Sequence, residues 1–379
     1  MKSRQFLYVL VLCLAPFLAV SGEPFVVGEV LTIQSKVLGK ETTINIKLPS
    51  SYEGLKQKRY PVYYGLSTDG GFISTVGAID ALSHNQEHPM PETIIVTLST
   101  DTAVTIIERG VNSKDFIDLL VVDVIPYIEQ HYRTHPFKIL VSGARFGQAP
   151  FYALMNHTAH FQAYINISPW TKDAVGLVEE FETFLKQKQN LKAFLWLSSG
   201  GESRVTPHYD KLVSVLEQNA PKGLDWKSTK YETVDDMAQS LVSLPNALVT
   251  LFSDRTLSQD SAVFKAGGNA IKNYYKQISE QKYGYPISAE RTLSILGLTY
   301  LRDKEMAQAI EVLKMNIQEY PNSPHVYAGL ARAYMFYENF SEALPLQKIA
   351  YKLAMEQNSE YKDYYKQILT NIETELSSK

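Results

Sequence analysis

The sequence predicts an α/β fold with a mostly parallel central sheet, followed by a C-terminal region built only of helices. Residues 93–98 form a mostly apolar run, which is typical of a parallel strand covered by helices on both faces. Residues 139–142 form another such run, and it ends in a turn with glycines at positions 143 and 147. Beyond residue 285, residue types recur with a period of 34, which indicates stacked helix pairs.

The strands ahead of the glycine-spaced turn follow from local patterns. Residues 28–35 and 42–48 alternate between apolar and polar side chains and are joined by a turn at residues 38–40, which predicts a hairpin at the sheet edge. Residues 59–65 predict the next strand, and residues 93–98 predict the buried strand after it. Residues 122–133 indicate a helix end that leads into a strand at 138–141.

The elements after the turn complete the domain. We predict strands at residues 161–170 and 194–200, a helix at 209–218 and a short strand at 227–231. The predicted α/β domain covers residues 22–255. Residues 256–285 are assigned to a linker with one helix at 263–278, and residues 286–379 to the helical region.

Composition limits the classes of function. With 379 residues and a formal net charge of −3, the chain is long enough for two domains and has no charge bias towards nucleic acid. Cys13 is the only cysteine and lies in a predicted leader, which excludes disulfides and thiolate metal sites from the mature protein. We therefore expect no metal, no cofactor and no nucleic-acid partner.

The N-terminus has the pattern of an export signal. Lys2 and Arg4 precede an apolar run at residues 6–20, and small residues stand at Ala19 and Ser21, where a signal peptidase would cut. A transmembrane anchor is the competing interpretation, but the run is short for a membrane span. We predict a signal peptide at residues 1–21, a periplasmic or secreted mature protein, and no transmembrane anchor after signal removal.

The glycine-spaced turn has the layout of a nucleophile elbow. Gly143 follows the strand, a side chain is presented at position 145, and Gly147 follows two residues later. This spacing alone is more often an ordinary tight turn between a strand and a helix. The presented side chain is Arg145, whose guanidinium stays protonated and does not act as an acyl-accepting nucleophile.

Three neighbouring segments carry a family resemblance. Residues 126–136 (Pro-Tyr-Ile-Glu-Gln-His-Tyr-Arg-Thr-His-Pro), 143–148 and 161–169 resemble the Putative esterase family of α/β hydrolases, which includes enterochelin esterases and S-formylglutathione hydrolases. The resemblance spans about residues 28–252. It implies an α/β-hydrolase fold and, in active members, a serine, a histidine and an acid.

The resemblance assigns the triad positions to residues of other types. The serine position falls on Arg145, the acid position on Glu202, and the histidine position on Asp236, or on Asp235 if the register slips by one. No histidine lies between His208 and His325, so no general base stands at the expected place. Two of the three positions are therefore incompatible with the mechanism.

The replacements have complementary charge. We hypothesise that Arg145 pairs with Asp236, with Glu202 nearby, because a partly buried charge needs a partner. A separation of Arg145 from both carboxylates by more than about 6 Å would refute this pairing.

The family's oxyanion loop is replaced by Leu-Ser-Thr at residues 66–68, followed by Asp69. A further segment keeps Thr100 and Asp101 but has Ala103 at its arginine position. The predicted ligand-binding residues are Arg145, Asp69, Asp101 and Asp236.

The 34-residue period resembles the tetratricopeptide repeat. Leu296-Gly297, Tyr300 and Ala309 recur as Leu330-Ala331, Tyr334 and Ala343, and residues 359–377 would form a capping helix with Tyr361, Tyr365, Ile368 and Ile372 on its apolar face. A plain four-helix tail is the alternative. The resemblance implies a protein or peptide partner for residues 286–379, and we expect this region to pack against the hydrolase domain.

Two main functions remain. The first is an exported esterase-like pseudoenzyme that lacks the Ser–His pair and binds a peptide, a protein or a small ligand through the vestigial cleft, the helical repeats or both. The second is an active ester or thioester hydrolase with a displaced nucleophile, Ser142 or Ser168. A purely structural role is a third class. The residues favour the first, because neither serine has the exposure of an elbow or a partner histidine.

Overall fold

A computed structural model describes residues 25–65, 69–84, 90–108, 113–144, 146–169, 176–201, 206–235 and 238–378. The predicted leader, the loop at residues 66–68 and the triad positions Arg145, Glu202 and Asp236 lie outside these described residues. Asp69 begins a helix, but its side chain also lies outside what the structure describes.

Eight strands form one sheet. They are β1 (Glu29–Ser35), β2 (Lys40–Lys47), β3 (Tyr60–Gly65), β4 (Ile94–Leu98), β5 (Thr134–Ala144), β6 (Ala163–Pro169), β7 (Asn190–Gly200) and β8 (Lys222–Tyr231). The strand order is β1-β2-β4-β3-β5-β6-β7-β8. The pairs β1–β2 and β2–β4 are antiparallel, whereas the other five pairs are parallel. The predicted mostly parallel sheet and its edge hairpin are therefore confirmed.

Helices follow most strands. Those of the first part are α1 (Asp69–Ser83), α2 (Thr100–Glu108), α3 (Ser113–Asp118), α4 (Ile125–His131), α5 (Ala149–Asn156), α6 (Leu177–Gln187), α7 (Thr206–Asn219) and α8 (Gln239–Phe252). A π-helical segment, Leu119–Val124, joins α3 to α4. The later ones are α9 (Ala262–Lys265), α10 (Gly268–Ile278), α11 (Glu290–Arg302), α12 (Met306–Glu319), α13 (Pro324–Phe336), α14 (Phe340–Glu356) and α15 (Lys362–Ser377).

The sheet separates two hydrophobic cores. Successive side chains of a strand point to opposite faces, so Leu140 belongs to one core while Ile139 and Val141 belong to the other. The first core is closed by α3–α7, and Phe151 and Phe181 are fully buried there. The second is closed by α1, α8 and the chain beyond α8. Both faces of the central strands are therefore buried, as the apolar run at residues 93–98 predicts.

Two predicted boundaries are wrong. The last strand begins at Lys222 rather than at residue 227. In its first half only Leu224 and Trp226 pack against the core, which is too short an alternation to predict a strand. The single helix predicted at residues 263–278 is two helices, α9 and α10. They are separated at Gly267, whose φ of +92° lies in the left-handed region that interrupts a helix.

The C-terminal helices follow the predicted period. Helices α11 and α13 begin 34 residues apart, and so do α12 and α14. Gly297 lets α11 approach α12, because a Cβ there would lie 2.7 Å from the Leu313 side chain. Assignment to the tetratricopeptide class stays a prediction. Helix α15 buries Tyr365 and Ile372 as expected, whereas Tyr361, predicted on its apolar face, is 46% exposed.

The helical region packs against the α/β part, as expected. Leu248 of α8, Tyr283 after α10 and Leu293 of α11 are buried in the same core. Phe252 and Tyr283 stack with their ring centroids 6.1 Å apart. Lys282 and the Tyr283 hydroxyl both bind the carboxylate of Asp254, at 2.8 and 2.6 Å. The boundaries placed at residues 255 and 285 stay predictions. None of the described helices has the length and apolar character needed to cross a bilayer.

The carboxylate of Glu92 lies just before the start of β4. Its surroundings lead to a prediction about how stability depends on pH. Burial alone raises the pKa of Glu92, but the Lys58 ammonium and the Ser51 hydroxyl and N–H lower this pKa from 4.5 to about 2. Because the folded pKa is the lower one, this stabilisation is present above about pH 4.5 and is lost as the pH falls towards 2.

We therefore expect the difference in unfolding free energy between wild type and Glu92→Gln to shrink from about pH 5 to pH 2. Urea unfolding followed by tryptophan fluorescence measures it. Glu217→Gln, a change of an exposed carboxylate on α7, is the control. A difference for Glu92→Gln that stays constant down to pH 2 would contradict the assignment.

Candidate functional site

The described residues on either side of position 145 make close backbone contacts at the end of β5. Ala144 has a φ of +45°, and a Cβ on Gly143 would lie only 2.0 Å from the carbonyl oxygen of Ile167. The N–H of Phe146 donates to Gly143 O, and the N–H of Gly147 donates to Ala144 O, both at 3.0 Å. Only glycine at 143 lets β5 approach β6 this closely.

The neighbouring strand β6 is distorted beside this turn. The register of β5 and β6 shifts after Gly143, so that Ala144 pairs with Pro169, and Ser168 has a φ of +47°. Asn166 donates from Nδ2 to Gly147 O at 2.7 Å, which fixes the far side of the turn. Non-glycine residues with positive φ store strain, and such strain is concentrated at functional sites.

Both alternative serines are buried beside the turn. Ser142 is 3% exposed and its hydroxyl donates to the carbonyl oxygen of Phe146 at 2.7 Å. Ser168 is 4% exposed and its hydroxyl donates to Oε1 of Gln239 at the start of α8. Neither of these acceptors is a group that removes a proton at neutral pH.

The remaining predicted site residues are only partly placed. Arg145, Glu202 and Asp236 lie outside the described residues, so their hypothesised pairing stays a prediction. The neighbouring backbone is described: the N–H of Gly201 donates to Val234 O at 3.1 Å, which joins the end of β7 to the chain before α8. Asp235, the alternative histidine position, accepts the N–H of Ala238 at 2.7 Å and caps the turn before α8.

A buried polar layer lies between the strand ends and α8. Trp196 donates from Nε1 to the Ser243 hydroxyl at 3.0 Å, and Ser243 donates to Ser198 at 2.7 Å. Gln239 and Asn166 are fully buried, and within the described part of the chain neither Gln239 Nε2 nor Asn166 Oδ1 has a hydrogen-bond partner. Sequence reasoning missed this layer. Its only signal is the polar Ser198 and Ser243 at core-facing positions.

Asp101 lies just beyond the C-terminal end of β4. It lies in the first turn of α2 and is exposed, whereas Ala103, at the family's arginine position, is buried. The hydroxyls of Thr43, Ser99 and Thr102 are joined by hydrogen bonds that fasten α2 to β2. Among the described residues, no group of three or more histidine, cysteine or acidic side chains is placed to hold a metal ion.

Comparisons with known proteins agree with this architecture. The model of the family described as Putative esterase matches residues 35–275. An uncharacterised protein from Capnocytophaga ochracea is similar in structure, with a TM-score of 0.60 at 17% identity, covering 91% of this chain and 100% of the other. An IroE-like serine hydrolase from Shewanella oneidensis gives 0.61 at 19% identity, covering 77% and 99%.

A third structure, the BES protein from Bacillus cereus, gives a TM-score of 0.51 at 19% identity and covers 60% of this chain and 97% of the other. At these identities the likeness shows the fold alone. A search of the curated proteins finds no match. The fold is that of an esterase-like α/β hydrolase with a helical C-terminal region.

Proposed function

The chain belongs to the Putative esterase family, and from this premise we propose that it is an exported esterase-like pseudoenzyme. In this proposal it lacks the catalytic Ser–His pair and binds a peptide, a protein or a small ligand. The binding surfaces are the vestigial cleft at the carboxyl ends of the strands and the helical region at residues 286–379.

One observation carries the proposal: the glycine-spaced turn after β5 has arginine at the sequence position where an active member of the family has serine. The close approach of Gly143 to Ile167 and the hydrogen bonds of Phe146 and Gly147 are the backbone features that an elbow needs. The sequence places Arg145 between them. A guanidinium has five donors and no lone pair to attack a carbonyl, so the position suits binding an anion rather than acyl transfer.

The sequence has no histidine at the family's triad position, which supports the same proposal. The chain has no histidine between His208 and His325, and the segment that would carry one ends at Asp235, Asp236 and the start of α8. A carboxylate in that place would pair with a cation. The proposed cluster of Arg145 with Asp236 and Glu202 would therefore hold the cleft together and leave it net negative.

The alternative, a hydrolase that uses Ser142 or Ser168, is less well supported. Each hydroxyl donates its hydrogen to an amide or peptide oxygen, and each side chain is at least 95% buried. A nucleophile needs an adjacent base and access to the substrate carbonyl. Neither serine has the access, and neither acceptor is a base.

A short-chain p-nitrophenyl ester and a fluorophosphonate label test the proposal. We expect purified wild type to release p-nitrophenol no faster than buffer and to remain unlabelled. Ser142→Ala and Ser168→Ala should then behave like wild type, as should Ser341→Ala, a change of an exposed serine in the helical region. Stoichiometric labelling with turnover that one of the two buried-serine variants abolishes would establish the alternative.

The double substitution Arg145→Ser with Asp236→His tests whether any feature needed for ester hydrolysis is missing besides the triad. Recovery of ester hydrolysis would mean that only the triad is missing, whereas continued inactivity would implicate the changed loop at residues 66–68 as well.

Export is tested separately by cell fractionation. Recovery of a chain shortened by about 21 residues from the periplasm or the medium is the expected result.

A further inference from the structure

Three helices of the C-terminal region, α11, α13 and α15, lie side by side. The Ser323 hydroxyl donates to Oε1 of Glu290 at 2.7 Å, which joins the start of α13 to the start of α11. The Tyr365 hydroxyl and Nδ1 of His325 are hydrogen-bonded at 2.5 Å, which joins the start of α15 to that of α13. Helices α12 and α14 return the chain between them, so the three helices run in the same direction.

Each of these helices exposes one face, and the positions on it correspond from helix to helix. Residues seven and eleven positions after the first return to the same side of a helix. The exposed residues with this spacing are Arg291, Leu298 and Arg302 on α11, and His325, Arg332 and Phe336 on α13. Lys366 of α15 follows Arg332 by the same 34 residues and is also exposed. The fully buried residues of α11 and α13 lie on the other side.

The charge on this face is mostly positive. Three of its cations form no ion pair with a carboxylate in the part of the chain that the structure describes: Arg291, Arg332 and Lys366. Arg302 pairs with its neighbour Asp303 at 3.1 Å. The face also contains an exposed acid without an ion pair, Asp363, one turn before Lys366. The unpaired cations outnumber this acid, which favours an anionic occupant.

Apolar side chains are exposed beside these cations. Phe336 is 61% exposed and lies one turn after Arg332 on α13, and Leu298 is 37% exposed at the corresponding level of α11. Ala328 and Gly329, one turn before Arg332, are small, so the middle of α13 leaves room above its backbone. Exposed apolar groups that cluster, rather than being scattered, mark interaction sites. The occupant should therefore carry apolar groups next to its negative charges.

We propose that the exposed face of α11, α13 and α15 binds an extended acidic peptide that also carries apolar side chains. Its carboxylates contact Arg291, Arg332 and Lys366, and one apolar side chain packs on Phe336. Packed helix axes are about 9 Å apart, so an extended chain crosses all three helices in about six residues. This inference rests on the proposed function, in which the helical region is a binding surface, and names the partner class for that region.

Fluorescence anisotropy with a labelled peptide of Asp-Asp-Leu repeats tests the charge preference. At roughly 20 mM salt, where screening is weak, we expect wild type to bind this peptide and to ignore its Lys-Lys-Leu counterpart. Arg291→Gln and Arg332→Gln should each weaken binding about 3-fold, and about 10-fold together. Lys352→Gln removes an exposed cation from α14 in the same region, so it is the matched control and should bind as wild type does.

Two further arms separate specific docking from general attraction between charges. Phe336→Ser should weaken binding although it changes no charge, whereas Met355→Ser, a change of an exposed side chain on α14, should not. A single-stranded oligonucleotide of the same net charge should bind more weakly than the Asp-Asp-Leu peptide. Equal or tighter binding of the oligonucleotide, or unchanged peptide binding by the double arginine variant, would overturn the proposal.

Failure here is distinguishable from failure of the proposed function. Ester turnover by wild type would refute the pseudoenzyme assignment and leave the charge preference of the helical face standing. A protein that hydrolyses nothing and binds the acidic and basic peptides equally would refute the peptide site alone.

Discussion

Gly143→Ala is expected to lower the free energy of unfolding by about 3 kcal/mol. The added methyl group would lie 2.0 Å from the carbonyl oxygen of Ile167. That neighbour is backbone of a fully buried strand, so relief requires β5 and β6 to separate. The clash falls where β5 ends, beside the glycine-spaced turn.

Urea unfolding and thermal melting measure this loss, which corresponds to a fall in melting temperature of about 4 °C. Gly77→Ala is the matched control, because a Cβ on Gly77 would meet nothing within 4 Å. Gly77 lies inside α1, where alanine is the better helix former, so this variant should be as stable as wild type or more stable by up to about 1 kcal/mol. Similar losses for both glycine variants would show that the close approach at Gly143 is not what limits substitution.

Leu248→Ala is expected to destabilise the α/β part and the helical region together, by about 3 kcal/mol. Leu248 is fully buried in the core that also contains Tyr283 and Leu293. The cavity left by the truncation would therefore remove packing contacts from both the α/β part and the helical region. Because this core is continuous, the chain should unfold in one transition rather than two.

Val249→Ala provides the comparison at the next residue of the same helix. Val249 is 50% exposed, so its truncation should change stability by less than about 0.5 kcal/mol. Hydrogen exchange of α11 and α12 reports on the helical region alone. Faster exchange there in Leu248→Ala, without a change in Val249→Ala, is the expected pattern. Unaltered exchange in α11 and α12 would mean that the two parts unfold independently.

The sequence predicts the elements that bury a regular face. The apolar run at residues 93–98 becomes the fully buried β4, and the alternating residues around 28–48 become the β1–β2 hairpin. Strand β8 is mispredicted at its start because its apolar pattern there consists of Leu224 and Trp226 alone, which is too short an alternation to predict a strand. The break at Gly267 is missed because a lone glycine is compatible with a helix interior.

The candidate site also has one part that the sequence predicts and one part that it does not. Residue types and spacing identify the turn at residues 143–147, since glycine positions follow from steric needs that are local. The polar layer of Trp196, Ser198 and Ser243 depends on hydrogen bonds between residues more than 40 positions apart, so no local pattern indicates it.

Helix α8 joins the candidate site to the C-terminal helices. Its first residue, Gln239, meets Ser168 beside the elbow turn, while Leu248, two and a half turns later, supports the C-terminal helices. Pro245 lies between these two residues and removes one backbone N–H from the helix, so the helix is able to bend between its two ends. A ligand at either end that favours one bend of α8 would also change the affinity for a ligand at the other end, and linkage requires the two dissociation constants to change by the same factor.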